Sequence, residues 1–171
     1  TARLDRLGAL PPRFSGAHAV WLDEAEMGML AAHGCGVSHN PLSNLRLGSG
    51  VANVPRLKAA GVGVGVGTDA TNTSDSQNMF EATRLAATLS RINAHPDDWI
   101  LAGDAFRMAT EGSAALMGLD RVGRIETGWA ADLVFLDHAY CHYQPLRTPL
   151  EQIVLSENGA AVREVMIDGA F

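Results

Sequence analysis

The sequence has few cysteines, few aromatic residues and no long apolar segment. Only two cysteines occur, Cys35 and Cys141, and this scarcity excludes a disulfide framework and makes a reducing, cytoplasmic setting the default expectation. No apolar run approaches the ~20 residues that cross a bilayer. The first ten residues mix charged and apolar side chains, unlike a signal peptide. We therefore expect no membrane partner.

Basic residues are also scarce. The 13 lysines and arginines are outnumbered by 19 acidic residues, which gives a net charge of -6. Nucleic-acid surfaces need clustered positive charge, so we expect no nucleic-acid partner. The 171 residues, 47% of them hydrophobic and 19% charged, have the size and composition of one globular domain with a core of its own.

One segment is rich in glycine. Valine and glycine alternate from Gly61 to Gly67, and Thr68 and Asp69 follow. This period of two predicts a β-strand with its valines on one face and its glycines on the other. We expect the glycine face to leave open space, with the Asp69 carboxylate projecting over it. Parallel α/β proteins place catalytic residues at such strand ends, although a strand-end Asp is also often a turn or cap residue.

A nucleotide-binding alternative for this segment is weak. Residues 65–70 loosely fit the G-x-G-x-x-G/A fingerprint. That fingerprint requires a helix to begin at once, so that its N-terminus meets the pyrophosphate. Here a polar stretch, residues 71–76, follows instead.

The first half of the chain has the pattern of βα units. Asp23 is a plausible helix N-cap, and Pro41 must end a strand because it cannot donate to a sheet ladder. The predicted order is strand, helix, strand, helix, strand, over residues 15–20, 23–33, 35–39, 54–60 and 61–67. Short links between alternating strands and helices indicate a parallel sheet.

The second half is predicted to be helical and then β-rich. An amphipathic helix is expected over residues 78–92, and Glu111-Gly112 separates two further helical segments. Beyond Gly123, strand patterns predict a small separate subdomain. The predicted elements are helices at 78–92, 99–109 and 113–117, a strand and turn at 123–128, and strands at 133–136 and 162–167.

Polar residues lie near the ends of the three predicted parallel strands. His18 is on the first, His39-Asn40 on the second and Asp69 after the third. Two histidines and an Asp could bind a metal ion or act as acid and base. The spacing is not specific, however, because no close H-x-H pair is present, and a single histidine is often structural.

A second cluster, His138, Cys141 and His142, lies close together in sequence, in a predicted loop. Metal sites built from Cys and His usually use four ligands in compact pairs. We therefore rate this cluster as the weaker metal candidate.

Taken together, the ordered motifs resemble the amidohydrolase superfamily, and within it the cytosine deaminase-like and chlorohydrolase group. The resemblance extends over nearly the whole chain. Its motifs are HAVWL at 18–22, VSHNPLSNLRLGSG at 37–50, GTD at 67–69, ATEGSAALMGL at 109–119, GRI at 123–125 and GWAADLV at 128–134.

The resemblance implies an α/β fold: the C-terminal portion, strands six to eight with their helices, of a metal-dependent (β/α)8 barrel over residues 1–121, and part of a small β-sandwich subdomain over 122–171. It implies that Asp69 binds one divalent metal ion, with zinc as the first choice and iron as the alternative, and accepts a proton from the attacking water. His18 would be catalytic by stabilising the oxygen as charge develops. His39 would be a substrate-binding pocket residue.

This sequence also departs from the family pattern. The family's H-x-H pair, its fifth-strand histidine and the glutamate that follows have no counterpart here. Catalytic zinc sites keep about three protein ligands. We therefore expect the chain to be the C-terminal part of such an enzyme, inactive alone and partnered by a missing N-terminal barrel half. The start of the sequence, without Met and within a predicted helix, agrees with this expectation.

The implied function of the complete enzyme, expected to be a homo-oligomer, is hydrolytic deamination of a small nitrogen heterocycle such as a purine, a pyrimidine or an s-triazine. Two alternatives stay open. One is a dehalogenating or other carbon–nitrogen hydrolase on the same scaffold. The other is a non-catalytic module that serves binding or oligomerisation.

Overall fold

The computed structural model describes residues 1–171 as nine α-helices and five β-strands. None of the helices is both long and apolar enough to cross a membrane. The elements are α1 (Ala2–Arg6), β1 (Ser15–Ala17), α2 (Glu24–Ala32), β2 (Gly36–His39), α3 (Pro41–Arg46), α4 (Val54–Ala59), β3 (Gly63–Val66), α5 (Thr71–Ser74), α6 (Met79–Asn93), α7 (Ala102–Arg107), α8 (Ser113–Leu116), β4 (Leu133–Leu136), α9 (Pro149–Leu155) and β5 (Val162–Met166).

The first three strands form one parallel sheet in the order β1-β2-β3, as the βα pattern predicts. Gly16 lies opposite Val37, and Val37 lies opposite Val64. β4 and β5 form a separate antiparallel pair, with a register irregularity between Phe135 and Leu136. The carboxyl ends of β1, β2 and β3 therefore lie along one edge of the sheet, where the candidate site residues follow.

The valine face of the sheet carries the hydrophobic core. α2 begins at Asp23 with a complete capping box, which fixes the helix start and so the direction in which its apolar side chains point. α6 packs on the same core through Ala82 and Ala86, whereas Ile92, which its helical period places near the buried face, is 72% exposed. The buried residues in this core include Met27, Leu30, Val37, Leu57, Val64, Val66, Ala82 and Ala86.

The glycine face of β3 is open at Gly63 and closed at Gly65 and Gly67. A Cβ atom at Gly65 would lie 2.8 Å from Leu116 Cδ1 and 2.9 Å from Ser113 Cα, and one at Gly36 would overlap the Leu116 side chain. A Cβ atom at Gly67 would overlap Asn40 Oδ1. The expectation of an open face is therefore wrong at the carboxyl end of β3, where Gly65 and Gly67 permit close packing of α8 and of the polar end of β2, whereas a Cβ atom at Gly63 would meet nothing within 4 Å.

The helical region around α7 and α8 is continuous. A π-helical turn at Met108–Gly112 joins the two helices where a break at Glu111-Gly112 was predicted. The segment covers the free edge of β3: the Ser113 hydroxyl accepts from the Val66 N–H at 3.1 Å and donates to the Val66 carbonyl at 2.9 Å. One serine thus satisfies two backbone groups that a neighbouring strand would otherwise pair.

Three helices lie where the sequence predicted none. α3 begins at Pro41, between the strand predicted at 35–39 and the helix predicted at 54–60, and α9 lies within the β-rich tail. α5, a single turn, lies in the polar stretch after Asp69 that was expected to hold no helix. Val154 of α9 is buried in the same core as Val37, so part of the region 122–171 packs directly on the first part of the chain. The predicted strand at 123–128 is absent.

A buried Tyr–Glu pair joins two segments of the C-terminal tail. The Tyr143 hydroxyl donates to Glu157 Oε2 at 2.6 Å, and Glu157 is fully buried. Glu157 Oε1 accepts from three backbone N–H groups, those of Asn158, Gly159 and Ala161. Burial alone would raise the pKa of the Glu157 carboxyl, but the hydrogen bonds of Tyr143 and the backbone lower it below its usual value. Burial, followed by the carboxylate contact, raises the pKa of the Tyr143 hydroxyl above its usual value.

Replacing Tyr143 with phenylalanine is expected to lower the free energy of unfolding by about 1.5–3 kcal/mol at neutral pH, because a hydrogen bond to a buried charge is lost. A depressed carboxyl pKa stabilises the fold above the unfolded pKa, and this contribution disappears as the pH falls through the folded pKa. The difference between wild type and Y143F should therefore shrink in acid. Urea titrations at neutral and acidic pH measure it; an equal difference at both would contradict the ionised pair.

Candidate functional site

His18 and Asp69 lie at the carboxyl ends of β1 and β3. His18 directly follows Ala17, the last residue of β1. Both residues have a left-handed backbone, with φ of 69° at His18 and 64° at Asp69. Such values are uncommon for residues other than glycine, and they concentrate at functional sites. The directions of the two side chains are therefore set by these turns, and strand alternation does not determine them.

The two side chains converge although they are far apart in sequence. His18 Nε2 lies 3.7 Å from Asp69 Oδ2, with side chains 40% and 27% exposed. This separation is within ion-pair range and longer than a hydrogen bond. The other ring nitrogen, His18 Nδ1, lies 2.8 Å from Asn44 Oδ1. The pair is thus held on one side by the protein and open to solvent on the other.

Asp69 is held as an oriented carboxylate. Its Oδ2 accepts from the Ser43 hydroxyl at 2.6 Å, and its Oδ1 accepts from the Ala70 N–H at 2.7 Å. The Ser43 hydrogen bond, followed by that of Ala70, lowers the pKa of Asp69 below its ordinary value against a smaller opposing effect of burial. The group is therefore ionised at neutral pH, as a metal ligand or a proton acceptor must be.

His39 does not join this pair. It shares the face of β2 with Val37, it is 1% exposed, and burial lowers its pKa to about 4. The ring is therefore neutral and enclosed in protein, with its Nδ1 atom lacking a hydrogen-bond partner. This placement does not support the substrate contact predicted for His39, because a substrate cannot reach a fully enclosed ring.

Two site residues, Ser43 and Asn44, carried no predicted role. They lie on α3, immediately after β2, and both are buried. The available signal was their position: polar residues in the first turn of a segment that follows a strand end. Asn40, at the end of β2, accepts from the Ser38 hydroxyl at 3.0 Å and contributes a further buried amide near Gly67.

The site offers part of a metal-binding set. Asp69 supplies an ionised carboxylate whose oxygens each keep lone-pair capacity beyond their hydrogen bonds. No group of three or more His, Cys, Asp or Glu side chains is arranged to hold a metal ion. That includes the cluster of His138, Cys141 and His142, where Cys141 is exposed and the His142 ring packs edge-on against Tyr140. These residues thus offer one carboxylate ligand, that of Asp69, which fits a divalent metal ion whose other ligands they do not supply.

Comparison with curated proteins identifies relatives along almost the whole chain. The chain is 37% identical over 166 residues to a 5'-deoxyadenosine deaminase of Methanopyrus kandleri, covering 97% of this chain and 38% of that protein. It is 37% identical over 153 residues to a 5-methylthioadenosine/S-adenosylhomocysteine deaminase of Thermococcus onnurineus, covering 90% of this chain and 36% of that protein. The chain therefore spans less than two fifths of the length of either relative.

Solved structures give the same result. An adenosine deaminase from Xanthomonas campestris with bound zinc superposes with a TM-score of 0.95 at 38% identity, covering 99% of this chain and 39% of that one. An atrazine chlorohydrolase from Arthrobacter aurescens complexed with zinc gives a TM-score of 0.89 at 29% identity, covering 97% and 37%. The sequence profile of the amidohydrolase family matches residues 1–171, and the chain therefore belongs to this family.

Proposed function

We propose that this chain supplies the C-terminal part of the active site of a metal-dependent hydrolase that deaminates a nitrogen heterocycle. The observation that carries the proposal is the convergence of His18 and Asp69, whose Nε2 and Oδ2 atoms lie 3.7 Å apart at the ends of two parallel strands. An imidazole beside an ionised, half-exposed carboxylate at a strand-end edge is the arrangement of an acid–base site.

In this proposal β1, β2 and β3 are the sixth, seventh and eighth strands of a (β/α)8 barrel. Residues 1–121 belong to the barrel, and β4 and β5, within residues 122–171, belong to a β-sandwich subdomain. The coverage supports the proposal that the chain is one part of a larger enzyme: the chain matches 39% of the zinc-bound adenosine deaminase. The remaining strands, and with them the remaining metal ligands, would come from an N-terminal barrel half outside these 171 residues.

Each residue has a separate role. Asp69 contributes one carboxylate ligand to a divalent metal ion, zinc being the first choice because two matched structures carry it, and it accepts a proton from the attacking water. His18 faces the reacting centre with Nε2 and stabilises negative charge as it develops on the oxygen. When bound, the metal ion makes water a nucleophile at neutral pH. His39 is left out of this assignment because it is enclosed.

The substrate class that we propose is an adenine nucleoside. Relatives at 36–41% identity are named for the deamination of 5'-deoxyadenosine, or of methylthioadenosine and S-adenosylhomocysteine. In this reaction water adds at the ring carbon that bears the amino group, and ammonia leaves. Both free cysteines fit a reducing, cytoplasmic location, and we propose that the complete enzyme is a homo-oligomer.

The test uses the complete protein that contains this chain, loaded with zinc. Adenosine, 5'-deoxyadenosine and methylthioadenosine are supplied separately, and ammonia release is measured together with the loss of adenine absorbance. We expect at least one nucleoside to give equal amounts of ammonia and deaminated product. Zinc-loaded protein that releases no ammonia from any amino-substituted purine, pyrimidine or triazine would overturn the proposal.

A second candidate is carbon–halogen hydrolysis on the same scaffold, which the similarity to the atrazine chlorohydrolase favours. The same preparation, supplied with a chloro-s-triazine, would then release chloride instead of ammonia. A third candidate is a non-catalytic binding or oligomerisation module. The oriented Asp69 carboxylate argues against it, since a module without chemistry has no need of an ionised strand-end pair.

A further inference from the structure

One short helix holds both members of the candidate catalytic pair. Ser43 donates to Asp69 Oδ2 at 2.6 Å, and the next residue, Asn44, lies 2.8 Å from His18 Nδ1 through its Oδ1 atom. Ser43 is completely buried and Asn44 is 2% exposed, whereas His18 and Asp69 are both partly exposed. Two buried side chains of α3 thus contact two accessible side chains.

The sequence around α3 explains how consecutive residues reach two partners. α3 begins at Pro41 directly after β2, and proline is favoured at the first helical position because its ring sets φ and its missing N–H is not needed there. Successive helical residues are separated by 100° around the axis. Ser43 and Asn44 therefore point in different directions, one toward the end of β3 and the other toward the end of β1.

The Asn44 contact selects one tautomer of His18. With the amide oxygen facing the ring, Nδ1 must carry a proton, and neutral imidazole then has its lone pair on Nε2. Nε2 can therefore stabilise negative charge only when it carries a second proton, as in the imidazolium, whose Nδ1–H keeps the same contact with Asn44. Nε2 is the atom that lies 3.7 Å from Asp69 Oδ2. In this orientation of the amide, the buried Asn44 Nδ2 atom has no hydrogen-bond partner.

The Ser43 contact fixes the orientation of the Asp69 carboxylate. The hydroxyl donates a hydrogen bond to Oδ2 and the Ala70 N–H donates one to Oδ1. Rotation of the carboxylate would break both hydrogen bonds. Each oxygen keeps further acceptor capacity for a ligand. Groups that hydrogen-bond a ligating carboxylate orient it and adjust its affinity for metal.

We propose that Ser43 and Asn44 are positioning residues of the site: Ser43 sets the metal-binding orientation of Asp69, and Asn44 holds His18 with Nε2 free to face the reacting centre. This inference rests on the proposed function and deepens it. The competing explanation is purely structural, namely that the two buried side chains only form hydrogen bonds that stabilise the fold. Both explanations predict a less stable fold when either residue is replaced. Only the positioning role also predicts changes in zinc retention, in the His18 tautomer and in kcat.

The Ser43 test compares Ser43→Ala with Ser43→Thr and with Ser90→Ala in the complete protein. Ser90 is a matched control, since it is 3% exposed and its hydroxyl bonds only backbone groups, the Ala87 carbonyl and the Ile100 N–H. S43A should raise the rate of zinc loss to a chelator by about tenfold to a hundredfold. S43T keeps the hydroxyl and should lose zinc at the wild-type rate, as should S90A. Zinc loss from S43A at the rate of S90A would overturn the Ser43 assignment.

The Asn44 test reads the His18 tautomer directly. Nitrogen NMR of the complete, zinc-free protein labelled with 15N-histidine, at mildly alkaline pH where imidazoles are neutral, should show His18 protonated at Nδ1. Asn44→Leu should lose that preference, and Asn44→Asp, which keeps an oxygen acceptor, should retain it. Wild-type protein with His18 protonated at Nε2 would overturn the assignment.

Turnover separates positioning from packing. N44L should lower kcat by about tenfold to a hundredfold with little change in KM, and N44D should recover part of that loss. Equal kcat in N44L and wild type would also overturn the Asn44 role. Zinc retention and the tautomer need no substrate, so a protein that passes both tests but deaminates nothing would refute the proposed function alone.

Discussion

Replacing Asp69 with asparagine is expected to lower the turnover number of the complete enzyme about a thousandfold or more, since positioned proton acceptors contribute 10²- to 10⁴-fold and a charged metal ligand is lost as well. The zinc content of the purified variant should fall at the same time. Asparagine tolerates a left-handed backbone, so the φ of 64° at this position adds no strain. Ammonia release and metal analysis on one preparation measure both effects.

Asp75 provides the matched control for this variant. It has nearly the same backbone conformation, with φ of 65°, but its side chain is 63% exposed and pairs with Arg46. Asp75→Asn makes the same chemical change and should leave both turnover and zinc content at wild-type values, because exposed ion pairs contribute little. Full activity with normal zinc in D69N would contradict the role assigned to Asp69.

The second large effect is expected at His18. His18→Asn should lower kcat about a hundredfold or more while KM changes little, because removing one group that stabilises developing charge costs about 10²- to 10³-fold in kcat. Asparagine is chosen over alanine because His18 also has a left-handed backbone, with φ of 69°. Steady-state kinetics with the best nucleoside substrate separate the two constants.

His33 is the control for the histidine variant. It pairs with Asp5 at 2.7 Å through Nε2, in an exposed contact unrelated to Asp69. His33→Asn should therefore leave kcat and KM unchanged. A rise in KM alone in H18N would instead assign His18 to substrate binding, because uniform binding affects KM without lowering kcat.

The sequence predicted the parallel sheet because its signals are local. Alternation of valine and glycine, an N-cap at Asp23 and the proline after Asn40 each specify an element without reference to distant residues. The parallel order β1-β2-β3 then follows from short helical connections. His18 and Asp69 were predicted to be site residues from strand ends and from the family resemblance. The structure brings their side chains to 3.7 Å, and their roles stay predictions.

The remaining features depend on contacts far apart in the chain. The space over Gly65 is filled by Leu116 and Ser113, about fifty residues later in the chain, and no period in the sequence encodes that approach. α3 was hidden because Pro41 and the nearby glycines indicate a loop, although Pro41 instead begins the helix. His39 is buried because it lies on the face of β2 that packs against the helices. Tertiary packing decides which face that is, and the local sequence does not.

The roles of Ser43 and Asn44 were missed for the same reason. Their partners lie 26 residues away in opposite directions along the chain. A serine and an asparagine at the start of a helix are commonly explained by local capping, so nothing nearby indicates their distant contacts. The left-handed turns at His18 and Asp69, which aim the two side chains at one another, leave no sequence signature in residues other than glycine.

Anomalous diffraction at the zinc edge, on crystals of the complete zinc-loaded protein, tests the central claim most directly. The account predicts a zinc peak about 2.0–2.2 Å from a carboxylate oxygen of Asp69, the usual zinc–carboxylate distance, with the His18 ring facing the same centre. A fully active protein whose zinc lies elsewhere, for example among His138, Cys141 and His142, with Asp69 bound to no metal, would contradict the account.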